Sequence, residues 1–224
     1  MIQKAYKTNL FEKITNLKTE IGNTPLYSIN KVFQKKGVSI YTKLEWKQLG
    51  GSVKARAAYH IIKNACESGE LTENKHLLDA TSGNTGIAYA AICSRLGIGV
   101  TLCVPENASL ERKQVLTQLG AKVIYTSQFE STDGAQDYAK NLYEKKREFY
   151  FYADQYNNPN NWKAHYFGTA LEIFHQTQGQ ITHFVTGLGT TGTFMGVGRK
   201  LKELNPSIQI IALQPDSALH GLEG

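Results

Sequence analysis

Short apolar runs alternate with longer stretches of helical spacing along most of this chain. The first 40 residues read as a lead-in with one amphipathic stretch. Residues 38–44 are then short and apolar, which predicts a strand, and residues 52–68 carry a helical pattern that Gly69 stops. A strand over 76–80 and a helix over 84–96 follow, the helix apolar nearly all round and therefore buried, with Gly97 ending it. Residues 99–104 predict a strand closed by Pro105, and Ser109 an N-cap for a helix reaching Leu119, with Gly120 beyond it. Next come a strand over 122–126, a helix over 133–146 and a weak strand over 149–153. The polar cluster at 157–161 marks a turn and a candidate border between domains. A helix over 161–177, a strand over 182–186, a helix over 191–204 and a strand over 208–213 complete the series. Strands separated by helices of this length imply βαβ units and an α/β fold with parallel sheets.

The chain has 224 residues, between one and two domains at about 150 residues each. With 41% hydrophobic and 20% charged residues it has the composition of a folded soluble protein, not of a disordered one. No apolar run approaches the roughly 18 residues of a membrane span, and the N-terminal stretch has scattered charges without an apolar core. A cytoplasmic protein without a membrane partner is expected. Cys66, Cys93 and Cys103 stand in no CxxC pair, so reduced structural thiols are expected rather than disulfides. The six histidines show no metal-binding spacing, and no metal is expected. The net charge of +6 is spread over interspersed charges, as in residues 144–148 (EKKRE), which reads as a solvated helix face. Nucleic acid is not an expected partner, whereas small anions are favoured by the mild positive field.

Glycine changes the picture. Of 20 glycines, nine fall in three clusters, each between a strand and a helix N-terminus, where open parallel sheets bind ligands. Residues 187–193 (GLGTTGT) offer small residues and hydroxyls to a phosphate, although tight helix–strand packing competes as an explanation. Residues 81–86 (TSGNTG) suit a carboxylate, with an N-cap as the bland alternative. Residues 50–56 (GGSVKAR) place Lys54 in the first turn of a helix, the end that disfavours a cation by roughly 0.3–1 kcal/mol. A penalty on the ammonium form makes the free amine more available, as a Schiff-base lysine requires. A reactive amine, a carboxylate cradle and a phosphate cradle together suit pyridoxal phosphate acting on an amino acid.

Residues 21–26 (IGNTPL), 43–56 (KLEWKQLGGSVKAR), 81–86 (TSGNTG) and 187–196 (GLGTTGTFMG) resemble the cysteine synthase (O-acetylserine sulfhydrylase) family, which has the second fold type of pyridoxal-phosphate enzymes. Residues 155–173 (QYNNPNNWKAHYFGTALEI) and 105–112 (PENASLER) match further family stretches. The resemblance implies a two-domain α/β architecture, with a smaller domain over 41–155 and a larger one combining 1–40 with 156–224. It implies that Lys54 holds the cofactor and moves the substrate α-proton, and that Asn84 hydrogen-bonds the cofactor's phenolic oxygen. Gly189, Thr190, Thr191, Gly192 and Thr193 would bind its phosphate, and Thr81, Ser82, Thr85 and Gln155 the substrate carboxylate. The implied reaction is β-replacement on an activated serine such as O-acetylserine, with a sulfur donor as second substrate, in a homodimer. The Gly-Thr-Thr-Gly-Thr loop looks more like the B-type synthases than the A-type.

Departures keep alternatives open. Gln48-Leu49 stands where the family usually has Asn-Pro, and Ala55 where it has Asp. Gln48 is similar to the serine/threonine dehydratase branch, a β-eliminating alternative, while the second and third loops favour a synthase. Family members usually continue well beyond a position like Gly224, with further strands and a Ser or Thr at the pyridine nitrogen. An incomplete large domain is therefore expected, and a shortened, inactive homologue is the third alternative.

Overall fold

A computed structural model describes residues 2–81 and 83–216. Its centre is a four-stranded parallel sheet in the order β5 (Lys122–Thr126), β4 (Val100–Pro105), β3 (His76–Ala80), β6 (Tyr150–Tyr152). All six residues of β4 are buried, as a strand covered on both faces requires. The register pairs Ala80 with Cys103 and Leu78 with Tyr152, which brings the C-terminal ends of β3, β4 and β6 to one edge.

Side-chain alternation divides the core in two. Leu77, Leu102 and Val104 face α2 (Lys54–Ser68) and α3 (Asn84–Leu96), where Ile61, Ile62, Ala88, Tyr89 and Ile92 are buried. Leu78, Ala80 and Cys103 face α5 (Ser131–Lys145) through Ala135 and Ala139. The lead-in belongs to this core: α1 (Ile2–Leu17) buries Leu10, Ile14 and Leu17 in the first cluster, and the Tyr59 hydroxyl donates to the Ile14 carbonyl at 3.1 Å. Between β4 and β5 lies α4 (Leu110–Gln118), whose predicted cap is present, the Ser109 side chain accepting from the Arg112 N–H.

The second half of the chain carries α6 (Asn160–Ala164), α7 (Ala170–Gln176) and α8 (Gly192–Leu204), together with a parallel pair, β7 (His183–Gly187) and β8 (Gln209–Leu213). Ala170, Ile173, Val197, Leu201 and Ile208 form its core. Two predictions need correction. The strand over 38–44 shrinks to β2 (Tyr41–Lys43), which pairs antiparallel with β1 (Leu26–Ser28), outside the parallel sheets. A turn precedes it, in which the Val38 N–H reaches the Lys35 carbonyl at 3.0 Å across Gly37; among the described contacts the exposed residues 38–40 add only the bond from the Ile29 N–H to the Ile40 carbonyl, 2.8 Å, beside the β1–β2 pair. The single helix over 161–177 is two helices joined by a π-helical turn over residues 165–169. Along that turn α8 approaches so closely that a Cβ on Gly196 would lie 2.2 Å from the Trp162 carbonyl oxygen and 2.9 Å from the Tyr166 nitrogen.

Those neighbours are main-chain atoms in helices and cannot rotate away. Gly196→Ala is expected to lower stability by about 1–3 kcal/mol through overpacking. Gly187→Ala, at a site with no atom within 4 Å of the new methyl, is expected to stay within about 0.5 kcal/mol. Denaturant melts of both variants check this, and equal loss in the two would refute it.

Candidate active site

One cleft of about 1320 Å³ collects the three loops. Its wall includes Lys54; Thr81, Asn84, Thr85 and Gln155; and Gly189, Thr190, Thr191, Gly192 and Thr193. Every residue expected to hold cofactor or substrate therefore meets in one place, except Ser82, which lies outside the described residues.

Lys54 is the first residue of α2, and its N–H is 3.3 Å from the Ser52 hydroxyl oxygen. The loop before it needs glycine twice. Gly50 and Gly51 both have φ in the left-handed region, at 79° and 67°, and Gly50 lies so near α3 that a Cβ would sit 3.2 Å from the Ala88 Cα.

Two residues on, Arg56 is almost wholly buried, with 4% of its surface exposed. Its Nε donates to Glu45 Oε2 at 2.6 Å and its Nη1 to Glu172 Oε1 at 2.8 Å. Its Nη2 reaches Glu172 Oε2 at 2.7 Å, Glu45 Oε1 at 2.9 Å and Thr24 Oγ1 at 3.0 Å. Glu172 also accepts from the Asn23 N–H and pairs with Lys43 at 2.7 Å. Burial alone would raise the Glu172 carboxyl, but hydrogen bonds from Arg56 and Lys43 outweigh it and hold the group down at about 2. Gln48 belongs to this network, accepting from the Gly22 N–H at 2.9 Å and donating to Glu45 Oε2 at 2.8 Å. It is not on the cleft wall, so the feature shared with the dehydratase branch is spent on scaffolding.

At the end of β3 the loop of residues 81–86 turns into α3. The Gly83 N–H donates to Thr81 Oγ1 at 3.2 Å, while the N-cap of α3, Gly83, makes no side-chain capping bond. The same loop faces the cleft, and the Thr85 hydroxyl donates to Gln155 Oε1 at 2.7 Å. Gln155 is held in turn by Asp79, whose Oδ2 accepts the Gln155 N–H at 3.2 Å while Oδ1 accepts the Ala80 N–H at 2.9 Å. Burial pushes the Asp79 carboxyl up to about 7, against these hydrogen bonds, with the buried Tyr89 phenol and Asp154 nearby.

The loop after β7 divides the two explanations of its glycines. A Cβ on Gly192 would lie 2.0 Å from Asn161 Oδ1, and one on Gly198 3.2 Å from Ile210, so packing accounts for these glycines. The threonines face the cleft. Thr191, the N-cap of α8, has φ 62°, a strained value for a β-branched residue and one met most often at functional sites. No acidic residue occupies the first turn of α8, which leaves its N–H groups and dipole suited to an anion. Thr193 Oγ1 is 3.3 Å from His165 Nε2, and His165 Nδ1 pairs with Thr169 Oγ1 at 2.9 Å. Burial, with help from the Arg56 and Lys54 cations, depresses His165 to about 3, so its imidazole is neutral at pH 7.

Pyridoxal phosphate fits this wall. Lys54 shares the cleft with hydroxyl-rich helix starts, and the one carboxylate among the described lining residues, Glu45, is neutralised by Arg56. Glu45 lies within the family-like stretch 43–56, and Asn161, His165 and Glu172 within 155–173, but no role for any of them is legible there, and Asp79 lies in no such stretch.

Asp79 gives a signed pH dependence. Its folded-state pKa of about 7 lies above the ordinary carboxyl value of 3.8, so between these values the folded chain holds the extra proton. The contribution is present at low pH and is lost as pH rises towards 7. Asp79→Asn is therefore expected to gain stability relative to the wild type between pH 4.5 and pH 8. Denaturation at both pH values checks this, and an unchanged difference would refute it.

The comparisons agree with the geometry. A family profile described as "Pyridoxal-phosphate dependent enzyme" matches residues 17–222. Cysteine synthase of Aquifex aeolicus is 49% identical over 207 residues, covering 91% of this chain and 63% of that protein. Cysteine synthase B of Pseudomonas aeruginosa is 43% identical, covering 90% and 68%. The crystal structure of cysteine synthase from Entamoeba histolytica superposes with a TM-score of 0.84 at 36% identity, covering 89% of this chain and 60% of that one. This chain thus spans roughly two thirds of the length of these relatives. With an α/β fold, parallel strands and the matched loops at one cleft, the chain belongs to the pyridoxal-phosphate dependent enzymes of the second fold type, in the cysteine synthase family.

Proposed function

We propose that this chain carries the core of a cysteine synthase active site, which replaces the β-substituent of an activated serine with sulfur to give cysteine. The observation that carries the reading is the meeting of Lys54, of Thr81, Asn84 and Thr85, and of residues 189–193 on one cleft wall. When bound, pyridoxal phosphate supplies an aldehyde that condenses with amines and a ring that accepts the electron pair left at the substrate α-carbon.

Thr190, Thr191 and Thr193, with the N–H groups at the start of α8, hold the phosphate. Asn84 orients the ring through its phenolic oxygen. Thr81, Ser82, Thr85 and Gln155 hold the substrate carboxylate; the hydrogen bond from Thr85 to Gln155 fixes two of them before substrate arrives. The Lys54 Nζ would hold the cofactor and, as the free amine, would take the proton from the substrate α-carbon. In the net exchange the leaving group would depart with the Cβ–O electron pair, hydrosulfide would bring the pair for the new Cβ–S bond, and Lys54 would return to the α-carbon the proton it took. The position of Gln48 in the scaffold, away from the cleft, weighs against the dehydratase alternative.

Borohydride reduction of the chain loaded with pyridoxal phosphate, followed by peptide mapping, is expected to place the pyridoxyl group on Lys54. Label on another lysine would overturn the assignment. Product analysis with O-acetylserine and sulfide is expected to show cysteine; pyruvate or 2-oxobutyrate from serine or threonine would favour elimination.

A further inference from the structure

Two subsites share the cleft, one for the amino acid and one for the phosphate. Among the described contacts a single side chain reaches both. Asn161 is buried, with 6% of its surface exposed. Its Nδ2 donates to the Gln155 carbonyl at 2.8 Å and to the Thr190 hydroxyl oxygen at 2.9 Å. Gln155 is the residue that binds Thr85 through its side chain, and Thr190 opens the phosphate loop. The opposite atom of the carboxamide, Oδ1, occupies the space that a Cβ on Gly192 would take, 2.0 Å away. Glycine at 192 therefore seats the amide, and the amide spans the two loops.

We propose that Asn161 is a positioning residue that couples the amino-acid subsite to the phosphate subsite, by holding the Gln155 main chain and the Thr190 hydroxyl with one amide. The inference rests on the cysteine synthase reading and adds to it an energetic link between the two binding events. Both Nδ2 hydrogens are committed, one to each loop, so a shift of Gln155 is felt at Thr190. Asp79 and Ala80 pin Gln155 from the other side, which leaves the Asn161 bond as its path to the phosphate loop among the described contacts. Coupling of this kind is reciprocal: what the amino-acid side does to cofactor affinity, the cofactor side does to amino-acid affinity.

The test is a set of binding measurements on the full chain, with pyridoxal phosphate followed by absorbance and L-serine titrated into the loaded protein. Thr85→Val removes the hydroxyl that holds Gln155. It is expected to weaken pyridoxal phosphate binding by about fivefold, the low end of measured site-to-site couplings. Thr190→Val is expected to weaken L-serine binding by a similar factor. In an Asn161→Ala background the first effect should vanish, which a merely structural role would not produce. Asn161→Asp keeps the shape but cannot donate to the Gln155 carbonyl; it serves as the second background where Asn161→Ala fails to fold. Unchanged cofactor affinity in Thr85→Val, or the same loss with and without the Asn161 amide, overturns the inference while leaving the functional reading intact. A wild-type chain that binds no pyridoxal phosphate overturns both.

Discussion

The guanidinium of Arg56 occupies the place where the lead-in, the lysine-bearing helix and the second half of the chain meet. It sits one half-turn inside α2, so its direction fixes the helix start on which Lys54 stands. Its donors go to Glu45 after β2, to Thr24 in the lead-in and to Glu172 on α7. A charge taken so far out of water is tolerable only when its donors are satisfied, and here two carboxylates and a hydroxyl satisfy them. Burial opposes the Arg56 charge, yet bonds to Glu172 and Glu45 raise its affinity for the proton further. The planar fork matters as much as the charge, since it bonds Glu45 and Glu172 each through two nitrogens.

From that anchor the cleft is assembled by a second, uncharged seam. Thr85, Gln155, Asn161 and Thr190 follow one another by hydrogen bonds of 2.7–2.9 Å from the start of α3 to the loop before α8. Close packing holds this seam in place, because Gly192 and Gly196 let α8 press directly on Asn161 and on the Trp162 carbonyl. In the third glycine cluster the glycines are used for packing, while the threonines face the cleft.

Elements whose cause is local were legible in the sequence. Helix α3 and strand β4 were read almost to the residue, since an all-round apolar helix and a fully buried strand announce themselves by composition. The glycine loops and Lys54 were legible because a strand end, paired glycines and a misplaced cation are neighbours in sequence. Strand β2 was overextended because Val38 and Ile40 are apolar yet exposed, so hydrophobicity there did not mean burial. The pairing of Glu172 was not legible, because its partner Arg56 is 116 residues away. Asp79 was hidden inside an apolar strand, and Asn161 inside a run of asparagines whose polar character indicated a turn. The π-helical turn depends on the approach of α8, a tertiary cause that helical spacing does not carry.

If Lys54 captures pyridoxal phosphate as proposed, the Arg56 fork, and not only its charge, is what sets the lysine for it. Arg56→Lys keeps the charge and discards the fork. The direct measurement is the rate at which pyridoxal phosphate becomes borohydride-reducible on Lys54, alongside its non-covalent affinity. The fork predicts a capture rate lowered by about tenfold or more, in line with the sensitivity of such steps to small misplacements, with non-covalent affinity nearly unchanged. Capture at the wild-type rate in a folded Arg56→Lys chain would contradict it.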